Sequence, residues 1–249
     1  YQKMKKKILI FIITYKAQKR VYNVFKKINF SKLKKYKSFL LISDDCSNDS
    51  TIFYSKKILK KFKHSKLIIN NKNLGYGANI KKCLNYAIKN KYDYSVMIHG
   101  DGQYSPSYIN QLIRELENKN YHAVTGSRLK SGIRKVISGG MPIYKLAGNI
   151  FLTKIFNYVF SSDFKDAHTG LWAYNLKIFK KIKLQNLPNN FNFDQVIRIN
   201  LIKNKFKIGE IPIKTIYADE RSQLHIIYAI KFFIITLIYF FKMDFFLKR

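Results

Sequence analysis

The sequence predicts an α/β fold in which a mostly parallel sheet is flanked by helices. Short apolar runs at 8–13, 39–42, 67–69 and 96–98 have the pattern of strands buried on both faces. Segments with helical spacing separate these runs. Because strands that alternate with helices pair in parallel through right-handed crossovers, the pattern indicates one sheet with helices on both sides.

The remaining elements follow from the same periodicities. Helices are predicted at 21–28, 52–62, 78–90, 106–118, 142–160 and 191–202, and further strands at 123–125, within 168–174 and at 207–212. The polar stretch 43–51 is expected to cap the helix that follows it, through Asp45 or Ser47. Residues 131–141 contain glycines and are interpreted as a mobile loop.

Composition limits the classes of function. The 249 residues include 47% hydrophobic side chains, enough for the core of one domain, and carry a formal net charge of +33. This charge either attracts polyanions or reflects a codon bias toward lysine. The lysines are spread along the chain and no nucleic-acid recognition motif is present, so a nucleic-acid partner is not expected. Cys46 and Cys83 lack metal-binding spacing, which indicates ordinary thiols in a reducing compartment.

The C-terminal segment differs from the rest of the chain. Residues 226–241 are almost all apolar apart from Lys231, but the run is shorter than the roughly 20 residues of a spanning helix. A helix lying in the membrane interface is favoured over a membrane span or a helix docked on the domain. We therefore expect one domain at 1–222 and a membrane-associating helix at 223–249.

The strand at 96–98 ends in the most informative motif, H-G-D-G-Q at residues 99–103. Asp101 and Gln103 offer hard oxygen ligands of the kind that Mg²⁺ or Mn²⁺ prefers. Gly100 and Gly102 leave space for a polyanion to approach. A simple turn after a strand is the alternative for an isolated G-D-G. His99 either contacts the metal or diphosphate, or forms a hydrogen bond within the core.

Other candidate residues lie at neighbouring strand ends, where open α/β sheets bind ligands. Ser43, Asp44 and Asp45 are placed to bind a base and ribose, and Gly75 lies in a glycine-bearing loop that resembles a phosphate-binding loop. The remaining candidates are Arg128 and Arg221 as diphosphate clamps, with a local ion pair as the alternative for Arg221, and His168 as either an acceptor contact or a structural histidine.

Taken in order, these motifs resemble glycosyltransferase family 2 and its GT-A fold, over roughly residues 7–222. The motifs are I-T-Y at 13–15, D-D-C-S-N-D-S-T at 44–51, N-L-G-Y-G at 73–77, G-D-G-Q at 100–103, G-S-R at 126–128 and E-I-P at 210–212. Polyprenyl-phosphate (dolichol-phosphate) sugar transferases are the nearest well-known relatives. H-G-D-G-Q-Y and H-T-G-x-x-A-Y resemble a bacterial branch associated with cell-surface polysaccharide synthesis.

The resemblance implies roles for individual residues. Thr14, Tyr15, Ser43 and Asp45 would line the nucleotide pocket, and Gly75, His99 and Gly100 would contribute to donor binding. Asp101 and Gln103 would hold Mg²⁺ or Mn²⁺, and Arg128 would face phosphate. The chain departs from the family pattern at three places: His99 replaces the first Asp of D-x-D, Lys16-Ala17 replaces N-E, and Cys46 replaces a glycine.

The implied activity is an inverting transfer of a sugar from a UDP- or GDP-sugar to a polyprenyl-phosphate, other lipid-linked or glycan acceptor, in cell-envelope polysaccharide synthesis. A phosphate acceptor is already ionised, whereas a hydroxyl acceptor needs a base, for which Asp194 and His168 are the candidates. The expected location is the cytoplasmic face of the membrane, on an anionic surface, with a homo-oligomer possible. The alternative is a membrane-associated protein that binds nucleotide sugars with weak or no turnover.

Overall fold

A computed structural model describes residues 5–215 and 226–247. Its seven strands form one sheet in the order β3-β2-β1-β4-β6-β5-β7. The strands are β1 (Lys7–Thr14), β2 (Lys37–Asp44), β3 (Ser65–Ile69), β4 (Tyr94–His99), β5 (Ala123–Ser127), β6 (Trp172–Asn175) and β7 (Ile208–Pro212). All neighbours pair in parallel except β6, which is antiparallel to β4 and β5.

Among the described residues, eight α-helices flank the sheet. They are α1 (Arg20–Lys26), α2 (Thr51–Lys61), α3 (Tyr76–Lys89), α4 (Ile109–Asn118), α5 (Ile133–Ser138), α6 (Ile143–Phe160), α7 (Phe193–Lys203) and α8 (Ile226–Leu247). Alternate residues of β1 enter two different apolar layers. Ile8, Ile10 and Ile12 pack with α1, α2 and α4, whereas Leu9, Phe11 and Ile13 pack with α3 and α7. The result is the predicted sheet between two helical layers.

Two local predictions are wrong. Residues 131–141 are not a loop throughout, because α5 forms there and Val136 packs with Met141 and Leu146 in a small apolar cluster. The cap of α2 also differs, since neither Asp45 nor Ser47 supplies it. Instead, the N–H of Thr51, the first residue of α2, donates to Oδ1 of Asp49 at 2.9 Å.

Helices α6 and α8 pack against one another beside the sheet. Gln195 of α7 fixes α8 in place, because its Nε2 donates to the carbonyl oxygen of Phe232 at 2.8 Å and to Oγ1 of Thr236 at 2.7 Å. Within the described ranges, no helix combines the length and hydropathy that crossing a membrane requires.

Candidate active site at the strand ends

The carboxyl end of β4 delivers Asp101 and Gln103 to a cavity of about 450 Å³. Both side chains are half-buried, and Oδ1 of Asp101 accepts the backbone N–H of Gln103 at 2.9 Å. Basic residues line the same cavity: Arg20, Lys27 and Lys214. Cations around a carboxylate suit a ligand that is itself anionic. A second cavity, of about 280 Å³, lies at the opposite, amino ends of β1 and β4, beside Lys6 and Tyr94, and contains none of the predicted site residues.

The donor set at Asp101 and Gln103 fits a hard divalent cation. Mg²⁺ and Mn²⁺ are commonly held by one or two protein oxygen ligands while waters and substrate phosphates complete the shell. Among the described residues, no group of three or more His, Cys, Asp or Glu side chains converges in a metal-ligating cluster. Asp101 and Gln103 would thus supply two oxygen ligands and leave the rest of the coordination shell to waters or a ligand.

Glycine stands on each side of Asp101 for a different structural reason. A Cβ on Gly100 would lie 2.5 Å from Cγ2 of Thr14, so glycine permits the close approach of β4 to β1. Gly102 has a φ of +82°, a left-handed conformation that side chains rarely adopt. Its surroundings are open, with Cγ2 of Val24 at 3.6 Å from a built Cβ.

His99 lies inside the protein at the base of this site. Its Nε2 is 3.0 Å from the carbonyl oxygen of Gly170 and 3.3 Å from the hydroxyl of Tyr76. Burial lowers the pKa of His99, which favours the neutral ring. Because the Gly170 oxygen can only accept, Nε2 carries the hydrogen. This placement matches the core hydrogen bond anticipated as one of two roles, and direct contact with metal or diphosphate stays a prediction.

Tyr76 connects His99 to Asp194. Its hydroxyl donates to Oδ2 of Asp194 at 2.7 Å, across 118 residues of sequence. Burial raises the pKa of Tyr76 well above its ordinary value, so the hydroxyl keeps its hydrogen and acts as a donor. His99, Tyr76 and Asp194, which are distant in sequence, thus form one hydrogen-bonded series of side chains.

Burial also raises the pKa of Asp194, to about 7, although the Tyr76 hydroxyl and the charge of Arg198 both favour the ionised form. Oδ1 of Asp194 is buried and has no hydrogen-bond partner among the described residues. A carboxyl with a pKa near neutrality suits a general base. Of the two candidate bases, Asp194 therefore has the more suitable pKa.

The carboxyl ends of β1 and β2 are tied together by internal hydrogen bonds. Oγ1 of Thr14 donates to Oδ2 of Asp44 at 2.8 Å, and Oγ of Ser43 is 2.5 Å from Oδ1 of Asn79. Thr14 and Ser43 are buried, whereas Tyr15 is 40% exposed. The ring of Tyr15 is therefore accessible to a ligand. Contacts of Thr14, Tyr15 and Ser43 with a nucleotide stay predictions.

Asp45 organises the glycine-bearing loop. Its carboxylate accepts the side-chain N–H of Asn70 and the backbone N–H groups of Leu74 and Gly75, at 2.8–2.9 Å. A Cβ on Gly75 would lie 2.8 Å from the carbonyl oxygen of Asn189, and φ at Gly75 is +92°. The structure therefore seats this loop on the chain that precedes α7, and phosphate binding by Gly75 stays a prediction.

Arg128, at the end of β5, forms a buried ion pair that the sequence reasoning missed. Its Nε and Nη2 donate to the two oxygens of Asp166 at 2.6 and 2.8 Å, and Nη2 also donates to the carbonyl oxygen of His168 at 2.8 Å. Burial alone would raise the pKa of Asp166, but the charge and hydrogen bonds of Arg128 hold it well below its ordinary value. Much of the predicted phosphate clamp is thus engaged within the protein.

Glu210 of the E-I-P motif supports this ion pair. Its carboxylate accepts the backbone N–H groups of Lys165 and Asp166 at 2.9 and 3.1 Å. One sequence signal could have indicated Asp166: the chain has 14 acidic residues against 47 basic ones, so an acidic residue two positions before the H-T-G motif is notable.

The predicted clamp Arg221 lies outside the described residues.

His168 is half-buried next to this ion pair, and both of its ring nitrogens are buried. Its ring stacks on Phe232 of α8 at a centroid distance of 5.5 Å. Burial lowers the pKa of His168 to about 4, with further lowering by the charges of Arg198 and Arg128. His168 is therefore neutral at pH 7, and both of its anticipated roles, acceptor contact and structural histidine, stay predictions.

The comparisons with known proteins identify the family. Residues 9–183 match the family model described as glycosyl transferase family 2. The chain belongs to glycosyl transferase family 2. As a member of this family it is a glycosyltransferase, and the resemblance inferred from the strand-end motifs is confirmed.

Individual relatives of this glycosyltransferase are archaeal. It is 27% identical over 230 residues to a UDP-N-acetylglucosamine–dolichyl-phosphate N-acetylglucosaminyltransferase of Methanococcus voltae, covering 86% of this chain and 87% of the relative. It is 30% identical over 196 residues to an uncharacterized protein of Methanocaldococcus jannaschii, covering 76% and 81%.

A solved structure confirms the predicted GT-A fold. Glucosyl-3-phosphoglycerate synthase from Mycobacterium tuberculosis, in complex with Mn²⁺, UDP-glucose and phosphoglyceric acid, aligns with a TM-score of 0.68 at 13% identity. The alignment covers 94% of this chain and 79% of the synthase.

Proposed function

We propose that this glycosyltransferase inverts the anomeric carbon of a UDP- or GDP-sugar and transfers the sugar to a polyprenyl-phosphate or another lipid-linked acceptor at a membrane surface, in cell-envelope polysaccharide synthesis. One observation carries the donor half of the proposal. Asp101 and Gln103 open into a cavity that Arg20, Lys27 and Lys214 also line. Oxygen ligands beside cations complement a metal-bound diphosphate.

Asp101 and Gln103 are the residues that would hold Mg²⁺ or Mn²⁺. When bound, such an ion supplies Lewis-acid stabilisation of the leaving diphosphate. The cations lining the cavity contribute in the same direction, because they stabilise negative charge as it develops on the leaving group. The protein's own task is to hold donor and acceptor in line while water is kept out.

The acceptor half of the proposal draws on the dolichyl-phosphate relative and on the chemistry of phosphate. A phosphate monoester has a second pKa of about 6, so it attacks as an anion and needs no base. If the acceptor is a hydroxyl group instead, Asp194 is the side chain that would remove its proton, since its pKa of about 7 keeps a large ionised fraction at neutral pH.

An apolar surface on α6 and α8 supports membrane association. Tyr144, Phe151 and Tyr158 recur every seven residues along one face of α6 and are 73%, 62% and 86% exposed. The opposite face of α6 is buried, so this helix is apolar on both sides. On α8, four further residues are exposed at helical spacing: Ile230, Ile234, Ile238 and Phe241.

Basic side chains accompany this surface. Lys154 of α6 and Lys231 of α8 are exposed, as are Arg134 and Lys135 of the neighbouring α5. Apolar side chains among cations fit the interface of an anionic membrane. A second copy of the chain is a poorer partner for this surface, because each copy carries a formal charge of +33.

The donor half is tested by a panel of UDP- and GDP-sugars with Mn²⁺, using thermal shift for binding and product analysis for transfer to short-chain polyprenyl phosphate and to hydroxyl acceptors. We expect Asp101→Asn to lower metal-dependent transfer on the order of 100-fold. Asp163→Asn, an exposed acid outside the cavity, is the control. Full transfer by Asp101→Asn with metal present would contradict the assignment.

The membrane half is tested separately, by flotation with vesicles that contain anionic or only zwitterionic lipid. The double variant Phe151→Ser, Tyr158→Ser should bind anionic vesicles at least tenfold less tightly, since each lost aromatic contact is worth about 1.5 kcal/mol or more. Phe53→Ser, which removes a comparably exposed aromatic residue from α2, is the matched control. Equal binding by both variants would refute this surface.

A second candidate function is nucleotide-sugar binding without turnover. It is favoured by His99, whose Nε2 contacts Gly170 where the family has the first Asp of D-x-D. Calorimetry that shows nucleoside-diphosphate binding, together with no hydrolysis or transfer across the donor panel, would select it.

A further inference from the structure

Arg198 is an unusual buried cation beneath the candidate active site. It lies on α7 with 0% of its surface exposed, and none of its three guanidinium nitrogens has a hydrogen-bond partner among the described residues. Aromatic rings enclose it instead, with its Cζ 4.6 Å from the ring centroid of Phe164 and 4.5 Å from that of Trp172. Rings favour a cation, but a buried charge also requires an opposite charge nearby.

Three carboxylates attract Arg198: Glu210, Asp166 and Asp194. Two of them already serve other partners. Asp166 holds Arg128, and Glu210 accepts two backbone N–H groups. Asp194 accepts a hydrogen bond from the Tyr76 hydroxyl, and the Trp172 side chain also favours its ionised form, but both of these groups are neutral, and its buried Oδ1 has no partner within hydrogen-bond distance in the described part of the chain.

Asp194 and Arg198 also lie on the same face of α7. They are four residues apart, the spacing at which helical side chains are neighbours. The carboxylate with an unmatched oxygen and the cation with unmatched nitrogens therefore occupy one buried region. Each compensates a charge that would otherwise be costly to bury.

We propose that Arg198 is a positioning residue whose charge keeps Asp194 ionised within the protein, so that Asp194 fixes the direction of the hydrogen-bonded chain through Tyr76 to His99 at the donor site. The charge of Asp194 determines which group donates and which accepts in these hydrogen bonds. An ionised Asp194 accepts from the Tyr76 hydroxyl, and the Tyr76 oxygen is then free to face the Nε2–H of His99.

A protonated Asp194 would leave this direction undetermined. A carboxylic acid keeps one acceptor oxygen for the Tyr76 hydroxyl but also gains an O–H that can donate to the Tyr76 oxygen instead. In that second arrangement the Tyr76 hydrogen has no acceptor at His99, because the nearby ring nitrogen already carries a hydrogen. The ring of His99, two residues from Asp101, would then lose one of its two polar contacts. Arg198 thus acts on the donor site through two other side chains without touching the substrate.

The other ionisable groups around this pair are neutral at pH 7 or engaged elsewhere. Tyr76 on α3 and Tyr174 on β6 keep their hydrogens, because burial raises the pKa of each well above its ordinary value. His168, on the loop before β6, has a pKa of about 4 and is neutral. On β4, burial favours neutral His99, while Asp166 and Glu210 are held as described above.

The chain carries its own reporter for a test that does not depend on catalysis. Trp172, which packs on Arg198, is the single tryptophan in the sequence. Its fluorescence, followed from pH 4.5 to 9 on the full chain without ligands, should show a transition near pH 7 as Asp194 ionises. Asp194→Asn should abolish this transition, which distinguishes it from titration of the histidines.

Two substitutions of Arg198 then separate charge from packing. Arg198→Met fills a similar space without charge and should move the transition upward, by up to roughly one to three pH units if the two groups interact as a close opposite-charge pair does. Arg198→Lys keeps the charge and should leave the transition within about half a pH unit. Urea unfolding checks that each variant folds. If Arg198→Met does not fold, the transitions measured in Arg198→Lys and Asp194→Asn still test the proposal.

The proposal is overturned if the transition is absent in the folded native chain, if it survives in Asp194→Asn, or if it moves equally in Arg198→Lys and Arg198→Met. This experiment needs neither a sugar donor nor a sugar acceptor. It can therefore support the role of Arg198 even if no sugar transfer is found, and it can refute that role even if transfer is found. Where transfer is measurable, the acid limb of kcat/KM should move upward in Arg198→Met and stay near its native position in Arg198→Lys.

Discussion

The ion pair between Arg128 and Asp166 makes the sharpest prediction about stability. Asp166 is fully buried and accepts three hydrogen bonds from Arg128, with further donors from Asn149 and the backbone N–H of His168 at 3.3 Å. Asp166→Asn keeps the side-chain shape but removes the carboxylate charge that faces the buried Arg128 guanidinium and places an amide N–H against it. Breaking a buried pair in this way costs about 3–5 kcal/mol.

This loss is measurable by urea unfolding at pH 7. For a domain of this size, each kcal/mol corresponds to roughly 2–4 °C in Tm, so a fall of about 6–20 °C is expected. The surface pair of Glu115 on α4 and Lys119 just beyond this helix, 3.2 Å apart, is the control. Glu115→Gln should change the free energy of unfolding by less than about 0.5 kcal/mol. A change below about 1 kcal/mol in Asp166→Asn would refute the reasoning.

The same pair sets a pH dependence. The pKa of Asp166 is held below its ordinary value of 3.8, so the folded chain binds this proton less tightly than the unfolded chain. Its stabilisation is therefore fully present above that ordinary value and is lost as the pH falls through the folded-state pKa. In Asp166→Asn this part of the acid destabilisation should disappear, which unfolding curves between pH 2 and pH 6 would show.

Three further predictions concern single positions. Cys46→Gly should stabilise the chain by about 0.5–1 kcal/mol in urea unfolding, because φ at Cys46 is +66°; an unchanged midpoint would mean that the left-handed backbone costs nothing here. Gly77→Ala should destabilise by about 1–3 kcal/mol, since its Cβ would overlap the carbonyl oxygen of Pro188, and Tm is the readout. His99→Asp should lower the free energy of unfolding by about 1–3 kcal/mol, because the new carboxylate would face the Gly170 oxygen without a hydrogen-bond donor. An unfolding curve like that of the native chain would contradict the hydrogen bond assigned to His99.

Much of the fold could be predicted from sequence because its elements depend on local patterns. The apolar run that became β1 alternates between the two helical layers, and such a run has few alternatives to a central strand. The antiparallel direction of β6 was not predicted, since the four residues Trp172–Asn175 carry no local signal of direction. Helix α5 was missed because its buried residue Val136 packs on Met141 and Leu146, which both lie beyond the end of α5.

The location of the candidate site was more predictable than the contacts within it. Parallel strands bring their carboxyl ends to one edge, so Thr14, Asp45 and Asp101 were expected together there. Their hydrogen-bond partners come from distant parts of the chain. Asp166 is 38 residues from Arg128, and neither side chain indicates from its own surroundings in sequence that the other will neutralise it.

The surface lysines have a consequence for association over long distances. In the described part of the chain, ten lysine ammonium groups lie 4.5–5.8 Å from the centroid of a tyrosine or phenylalanine ring, and two of them, Lys6 and Lys35, also pair with Glu117. A carboxylate partner would cancel the field of a lysine, whereas a ring holds the side chain in place and leaves its charge intact. The chain thus orders part of its surface and still projects a positive field, which should speed capture of anionic partners at low ionic strength and weaken steeply as salt is added.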